Sequence, residues 1–264
     1  MFETYLLPIL LFVGLGLLAG LLLAVVSTVF AVKSDEKTQA VREALPGINC
    51  GVCGFSGCDQ YAEKIVSEGV STNRCVPGGD AAAKKISEIM GVSFEDVSEK
   101  VAVVHCGGVC SATGDKYEYH GTPTCAACNE FYAGSGLCDY GCIGFGDCVK
   151  ACRYDAIHLV DGVARVDPKK CVGCTLCAVQ CPKHLINMVD ATARVNVICA
   201  SQNSGKVTRS NCSNGCIACK KCEKTCPYDA IHVEGNLARI DYDKCTRCGA
   251  CVKVCPVQCI HSFQ

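Results

Sequence analysis

The stretch Cys171-Val-Gly-Cys174-Thr-Leu-Cys177-Ala-Val-Gln-Cys181-Pro182 decides the reading of this chain, and it returns 74 residues later as Cys245-Thr-Arg-Cys248-Gly-Ala-Cys251-Val-Lys-Val-Cys255-Pro256. Three thiolates on one tight loop can each cap a different iron of a cube, and the fourth must arrive from elsewhere, so the spacing is that of a [4Fe–4S] ligand set. Each run has a partner upstream: Cys152 stands nineteen residues before Cys171, and Cys226-Pro227 nineteen before Cys245. In two-cluster units the last cysteine of a run ligates the other cluster. One expected set is therefore Cys216, Cys219, Cys222 and Cys255, and its neighbour is Cys226, Cys245, Cys248 and Cys251. The earlier unit gives Cys152, Cys171, Cys174 and Cys177 for one cube, and Cys138, Cys142, Cys148 and Cys181 for the other. That last set departs from the ordinary run, as Cys138-x3-Cys142-x5-Cys148-x3-Cys152 with Arg153 where proline is usual.

The repeat is not confined to cysteine. Tyr154-Asp155-Ala156-Ile157-His158 recurs as Tyr228-Asp229-Ala230-Ile231-His232, and a short apolar alternation around glycine follows each, Leu159 to Val166 and Val233 to Ile240. Both read as small hairpins. Cys138 and Cys142 have offset partners in Cys212 and Cys216; Cys216 is chosen as ligand because it completes the regular run. Units this small bury little apolar core, so bound clusters must supply much of the folding free energy.

Cysteine makes up 27 of 264 residues, which in a short secreted chain would suggest a disulfide scaffold. Disulfide frameworks do not require this repeated motif, and zinc sites stop at four ligands in two knuckles. The setting is therefore reducing. A formal net charge of −1, without long basic runs or tryptophan, marks no nucleic-acid surface. Proteins are the expected partners.

Tyr5 to Val32 contains no charged side chain, long enough as a helix to cross a hydrocarbon core of roughly 30 Å. Met1-Phe2-Glu3-Thr4 lacks the positive region of a signal peptide. Lys33, Lys37 and Arg42 follow the span, and Glu3 alone is charged before it, which places the rest of the chain in the cytoplasm. Gly16-x3-Gly20 could admit a second helix or be ordinary membrane glycine. One uncharged span offers no ionisable relay, so any ion path is expected in partners. No Gly-rich phosphate loop is present outside the span, so flavin and NAD are not expected on this chain.

After the span comes Leu45-Pro-Gly-Ile-Asn-Cys50-Gly-Val-Cys53-Gly-Phe-Ser-Gly-Cys58, and then Cys75-Val-Pro-Gly-Gly79. Cys50, Cys53, Cys58 and Cys75 form a further expected cluster site, although four thiolates could also hold zinc. Asp59 to Glu68 reads as a helix ended by Gly69. Gly79 to Val101 reads as an amphipathic helix with Ile86, Ile89, Met90 and Val97 as core.

The order of these parts, with Cys138-Asp-Tyr-Gly-Cys142-Ile-Gly-Phe-Gly-Asp-Cys148 ahead of the ferredoxin repeats, resembles the RnfB family over essentially the whole chain. RnfB proteins are subunits of the Rnf membrane complex, which passes electrons between ferredoxin and NAD and couples this to Na⁺ or H⁺ transport. The resemblance implies a subunit that takes electrons from soluble ferredoxin and forwards them to membrane-embedded and flavin-bearing Rnf subunits. It also favours iron–sulfur over zinc at Cys50, Cys53, Cys58 and Cys75. Some family members carry one ferredoxin unit, so two here imply a longer cytoplasmic wire.

The expected fold class is α+β: an anchor over 1–34, a small helical cluster domain over 35–92, a connecting segment over 93–132, a ferredoxin-like unit over 133–191, a connector over 192–206 and a second unit over 207–264. Five [4Fe–4S] clusters are expected. Cys106-x3-Cys110 and Cys125-x2-Cys128 could hold a sixth iron–sulfur site, a zinc ion or free thiols. Cys199 reads as a buried strand thiol. His158 and His232 read as surface residues. Lys183, Lys220, Lys221, Lys224 and Lys253 flank the cluster loops and could steer an acidic ferredoxin or form a solvated face. The rival reading from another class is an iron–sulfur sensor or assembly scaffold; another keeps electron transfer but sends the electrons to a regulatory protein.

Overall fold

The computed structural model describes residues 2–29 and 35–263. The apolar N-terminal run forms one helix, α1 (Phe2–Val29), whose stretch Ile9–Ser27 is exposed and long and apolar enough to cross a membrane. Lys33, on which part of the expected orientation rests, lies outside the described residues.

Three helices build the next domain: α2 (Glu36–Ala44), α3 (Cys58–Glu68) and α4 (Gly79–Met90). Asp35 caps α2 by accepting from the Lys37 amide. The apolar faces meet at Val41, Leu45, Tyr61, Ala62, Ile65 and Ile86. Tyr61 fixes the following loop, because its hydroxyl donates to the Ser71 carbonyl (2.8 Å) and accepts from the Arg74 amide (3.2 Å). Gly69 and Gly91 end α3 and α4 in left-handed conformations (φ 66° and 69°), which a side chain would strain. The helix expected to run from Gly79 to Val101 therefore stops at Met90. Its last residues belong instead to strand β1 (Lys100–Val104), where Val101, Val103 and Val104 suit extended backbone.

Beyond β1 the chain passes through α5 (Cys125–Asn129) and α6 (Asp147–Ala151) to β2 (Ile157–Val160), β3 (Val163–Val166), α7 (Leu176–Gln180) and β4 (Ile186–Asp190). The second half follows the same plan through β5 (Val195–Val197), α8 (Gly205–Asn211), α9 (Lys221–Thr225), β6 (Ile231–Glu234), β7 (Leu237–Ile240), α10 (Ala250–Val254) and β8 (Ile260–Ser262). The expected hairpins are β2–β3 and β6–β7. Their turns, Asp161-Gly162 and Gly235-Asn236, have both residues at positive φ, the geometry that matches the strand twist.

Residues 93–132 and 192–206, read as connectors from sequence, each supply an opening strand. β1 pairs antiparallel with β4, Val104 facing Ile186, and β5 pairs antiparallel with β8, Val197 facing Ile260. One core gathers Val104, Ile157, Val163, Leu185 and Ile186, and the other Val195, Val197, Ile231, Leu237 and Ile260. Cysteines complete both cores.

Candidate iron–sulfur sites

All 27 cysteines are free. Short helices start directly after residues in left-handed conformations, Thr175 before α7, Lys220 before α9 and Gly249 before α10, and this folds each cysteine run back on itself. The turned amides then point at sulfur: Ala156 N–H donates to Cys152 Sγ and Ala230 N–H to Cys226 Sγ, each at 3.4 Å, and Ala102 N–H to Cys171 Sγ at 3.4 Å. Such bonds favour thiolate and tune cluster potential.

The thiols surrounding each buried cysteine define the groups. Burial pushes Cys75 up to about 11, with Cys58, Cys50 and Cys53 adding repulsion. Cys177 is pushed up to about 12 by burial, among Cys171, Cys174 and Cys152. Burial likewise raises Cys222 to about 11, among Cys216, Cys219 and Cys255. Cys226, Cys245, Cys248 and Cys251 line a common cavity. Free thiols so buried would stay neutral; iron would hold them as thiolates. Among the described residues no three or more His, Cys, Asp or Glu side chains converge tightly enough for a single metal ion. The sulfur-directed amides fit iron–sulfur clusters.

Of the expected set Cys138, Cys142, Cys148 and Cys181, the last three line one cavity, and Cys138 lines the next one together with Cys142. Cys148, pushed up to about 12 by burial, has Cys142, Cys125 and Cys181 as neighbours, and Cys125, Cys142, Cys148 and Cys181 line one cavity. Cys138 faces an adjoining cavity with Cys106, Cys199 and Cys212. The reason lies in the spacing: Phe145 occupies the place that Cys219 takes in the second unit, so the run is one thiol short. Cys125 reaches in from the segment after β1.

The group Cys106, Cys110, Cys125 and Cys128 is thereby divided. Cys106 faces one cavity and Cys125 the other, Cys110 is exposed and donates to the Asp161 carbonyl (3.3 Å), and Cys128 is buried beside Tyr117. Cys259, to which the sequence assigns no role, is buried with its Sγ 3.6 Å from that of Cys255. Its thiol stays protonated, and its single S–H, shared between Cys216 and Cys255, draws both thiols down. Leu185 is its counterpart in the first unit, a difference that the offset of 74 already marks.

Lys183 is half-buried and its ammonium is held by the carbonyls of Ala133 and Asp139. Lys220, Lys221, Lys224 and Lys253 are exposed, as are the thiols Cys219 and Cys248. His158 and His232 lie near Asp155 and Asp229 at 3.8 and 3.7 Å.

Fold and sites together define a multi-centre iron–sulfur protein of the ferredoxin type, carrying one helix able to span a membrane. Family models agree: a putative Fe-S cluster model matches residues 45–77, a 4Fe-4S binding domain 164–187 and a 4Fe-4S dicluster domain 210–262. The chain is 41% identical over 246 residues to the B subunit of the Na⁺-translocating ferredoxin:NAD⁺ oxidoreductase complex of Acetobacterium woodii, covering 93% of this chain and 74% of the relative. It is 42% identical over 234 residues to the B subunit of the ion-translocating oxidoreductase complex of Methanosarcina acetivorans (88% and 89% covered). To the B subunit of the proton-translocating ferredoxin:NAD⁺ oxidoreductase complex of Clostridium ljungdahlii it is 40% identical over 233 residues (88% and 82%). The chain belongs to this family, the B subunits of ion-translocating Rnf oxidoreductase complexes.

Proposed function

We propose that this subunit is a membrane-anchored electron relay that accepts electrons from reduced soluble ferredoxin and passes them to the membrane-embedded and flavin-bearing subunits of an Rnf complex, which couples ferredoxin:NAD oxidoreduction to Na⁺ or H⁺ translocation. The helix α1 anchors it in the cytoplasmic membrane as a single span, with the domains after residue 34 facing the cytoplasm. At least five [4Fe–4S] clusters are held: by Cys50, Cys53, Cys58 and Cys75; by Cys152, Cys171, Cys174 and Cys177; by Cys216, Cys219, Cys222 and Cys255; by Cys226, Cys245, Cys248 and Cys251; and by Cys142, Cys148 and Cys181 with one further thiolate. Bound clusters supply one-electron oxidation and reduction. The chain holds them, buries them and aims amides at their sulfurs, and no acid or base is required of it.

The observation that carries this reading is the adjacency of the thiol groups. Cys177 lies near enough to Cys148, and Cys50 to Cys174, to bear on its titration, so consecutive sites adjoin. Exposed Cys219 and Cys248, with Lys220, Lys221, Lys224 and Lys253 around them, make the second unit the entry for an acidic ferredoxin. The N-terminal site is the one nearest the anchor along the chain.

The test is an anaerobic EPR titration of the full-length protein with reduced ferredoxin. The expected result is reduced-cluster signals from at least about twenty irons per chain. Clusters that ferredoxin cannot reduce, or that mild oxidation strips rapidly, would overturn the relay and favour a sensor.

A further inference from the structure

The cavity that takes Cys138 is built as a mirror of itself. Cys106 follows β1 by two residues and Cys199 follows β5 by two. His105 N–H donates to the Leu185 carbonyl (2.8 Å) just as Ile198 N–H donates to that of Cys259 (2.6 Å), which makes the two loops equivalent. The Cys142 amide donates to Cys106 Sγ at 3.3 Å, and the Cys216 amide donates to Cys199 Sγ at 3.3 Å. Cys138 and Cys212 are likewise partners, 74 residues apart and each four residues before those two amides. Five cysteines line the cleft; Cys142 also lines the adjoining cavity, and the other four form two pairs, one of each pair from each unit.

The cleft is of the same order of size as the other cysteine-lined cavities: about 40 Å³, against about 20 Å³ around Cys125, Cys142, Cys148 and Cys181 and about 20 Å³ around Cys226, Cys245, Cys248 and Cys251. Glycines line it, and a Cβ on Gly108 would stand 3.6 Å from both Cys106 Sγ and Cys212 Sγ. Further amides point inward: Gly108 N–H donates to Cys106 Sγ (3.4 Å), and the backbone of Tyr140 bonds Cys138 and that of Asn214 bonds Cys212. The surrounding walls are tied across the two units by Asn214 Nδ2 to the Gly107 carbonyl (2.9 Å), Ser213 N–H to that of Ala112 (2.8 Å) and Thr113 Oγ1 to that of Asn211 (2.7 Å).

We infer that Cys106, Cys138, Cys199 and Cys212 hold a sixth [4Fe–4S] cluster between the two ferredoxin-type units, and that Cys125 replaces Cys138 as ligand to the cube of Cys142, Cys148 and Cys181. This rests on the iron–sulfur reading of the motif-defined sites. The site lies between Cys142 of one unit's cube and Cys216 of the other's, bonded to both through their amides, and so closes the gap in the relay. Each passage is a one-electron exchange: the neighbouring cube goes from the 1+ to the 2+ state as this one goes from 2+ to 1+. The assignment uses 24 of the 27 cysteines and leaves Cys110, Cys128 and Cys259 as thiols.

The test is iron and acid-labile sulfide on the anaerobically purified full-length protein, with EPR and Mössbauer spectra, for wild type and the variants Cys106→Ser, Cys212→Ser, Cys138→Ser, Cys125→Ser and Cys110→Ser. The expected result is about 24 irons for wild type and Cys110→Ser, and about 20 for each of the others. Cys106→Ser, Cys138→Ser and Cys212→Ser should lose the same cubane signal, and Cys125→Ser a different one. About 20 irons in wild type, unchanged by Cys106→Ser and Cys212→Ser, would overturn the sixth site while leaving the relay standing; a chain with no iron at all would overturn both. If Cys138→Ser and Cys125→Ser exchange signals, the ligand reassignment fails. The wild-type count stands whether or not any variant folds.

Discussion

The two ferredoxin-type units share a backbone more faithfully than they share residues. Left-handed conformations recur at equivalent places although the side chains are exchanged: Gly144 with Ala218 (φ 88° and 54°), Gly146 with Lys220 (76° and 58°), Gly173 with Arg247 (65° and 64°), Thr175 with Gly249 (61° and 72°). The loop that wraps a cube dictates the conformation, and what surrounds the loop dictates which residue can adopt it. Ligands behave in the same way. The second unit takes three thiols from its own run, whereas the first has Phe145 at the second place and brings Cys125 from an insertion after β1.

Copying the first unit's defect into the second should have the largest effect. Cys219→Phe leaves that cube with three thiolates, and Cys199, the thiol equivalent to Cys106, is turned to the neighbouring cleft. We expect loss of about four irons and several kcal/mol of stability, since cluster binding is folding energy in so small a unit. The converse sharpens the comparison: Phe145→Cys should restore those irons to a Cys125→Ser chain. Iron analysis on the three chains decides it.

Next in size is Gly173→Arg, which copies the second unit into the first. A Cβ there would meet the Lys100 carbonyl at 2.5 Å and Val76 Cγ1 at 3.0 Å, so backbone of β1 and a side chain of the N-terminal domain must move. Overpacking of this kind, with the left-handed cost added, should lower stability by about 3 kcal/mol. An anaerobic denaturation midpoint measures it, and an unchanged midpoint would show that the N-terminal domain does not press on this loop.

Much of this is legible in sequence. The repeated run, the hairpins, the apolar helix and the fourfold sets around Cys75, Cys177, Cys222 and Cys251 rest on spacing that local geometry enforces. What is not legible depends on long-range pairing. The start of β1 reads as helix because Ile86 to Val97 continue an apolar period, and only its pairing with β4, 90 residues on at Lys100 and Asp190, makes it a strand. Sequence groups Cys125 with Cys106, Cys110 and Cys128 and not with the first unit's run, because a thiol thirteen residues before a run carries no spacing rule. A signal is nevertheless present: the gap at Phe145, and the likeness of Ala102-Val-Val-His-Cys106 to Val195-Asn-Val-Ile-Cys199, mark a missing ligand and two equivalent thiols.

A smaller effect is expected from Cys259→Leu, which gives the second unit the first unit's Leu185. The irons should remain, because Cys259 is a donor to Cys216 and Cys255 and not itself a ligand. Removing a hydrogen-bond donor from cluster sulfur disfavours the more negative, reduced state, so that cube's potential should fall, on the order of tens of millivolts. An EPR-monitored redox titration measures the shift, and loss of iron would instead make Cys259 a ligand.

The smallest effect should come from Arg247→Gly, the reverse of the Gly173 exchange. Arg247 is exposed, holds φ at 64° and donates to Thr192 Oγ1 at 2.6 Å. Glycine removes a left-handed cost of about 1 kcal/mol. It also gives back about 0.5–1 kcal/mol through the greater freedom of the unfolded chain and loses one exposed hydrogen bond. These terms nearly cancel, so stability should stay within about 1 kcal/mol of wild type with iron content unchanged. The same exchange read in two directions then gives a large loss and almost none, because the loop conformation is common to both units and only Gly173 has a neighbouring backbone against it. Equal losses in both directions would mean that the loop itself, and not its surroundings, selects the residue.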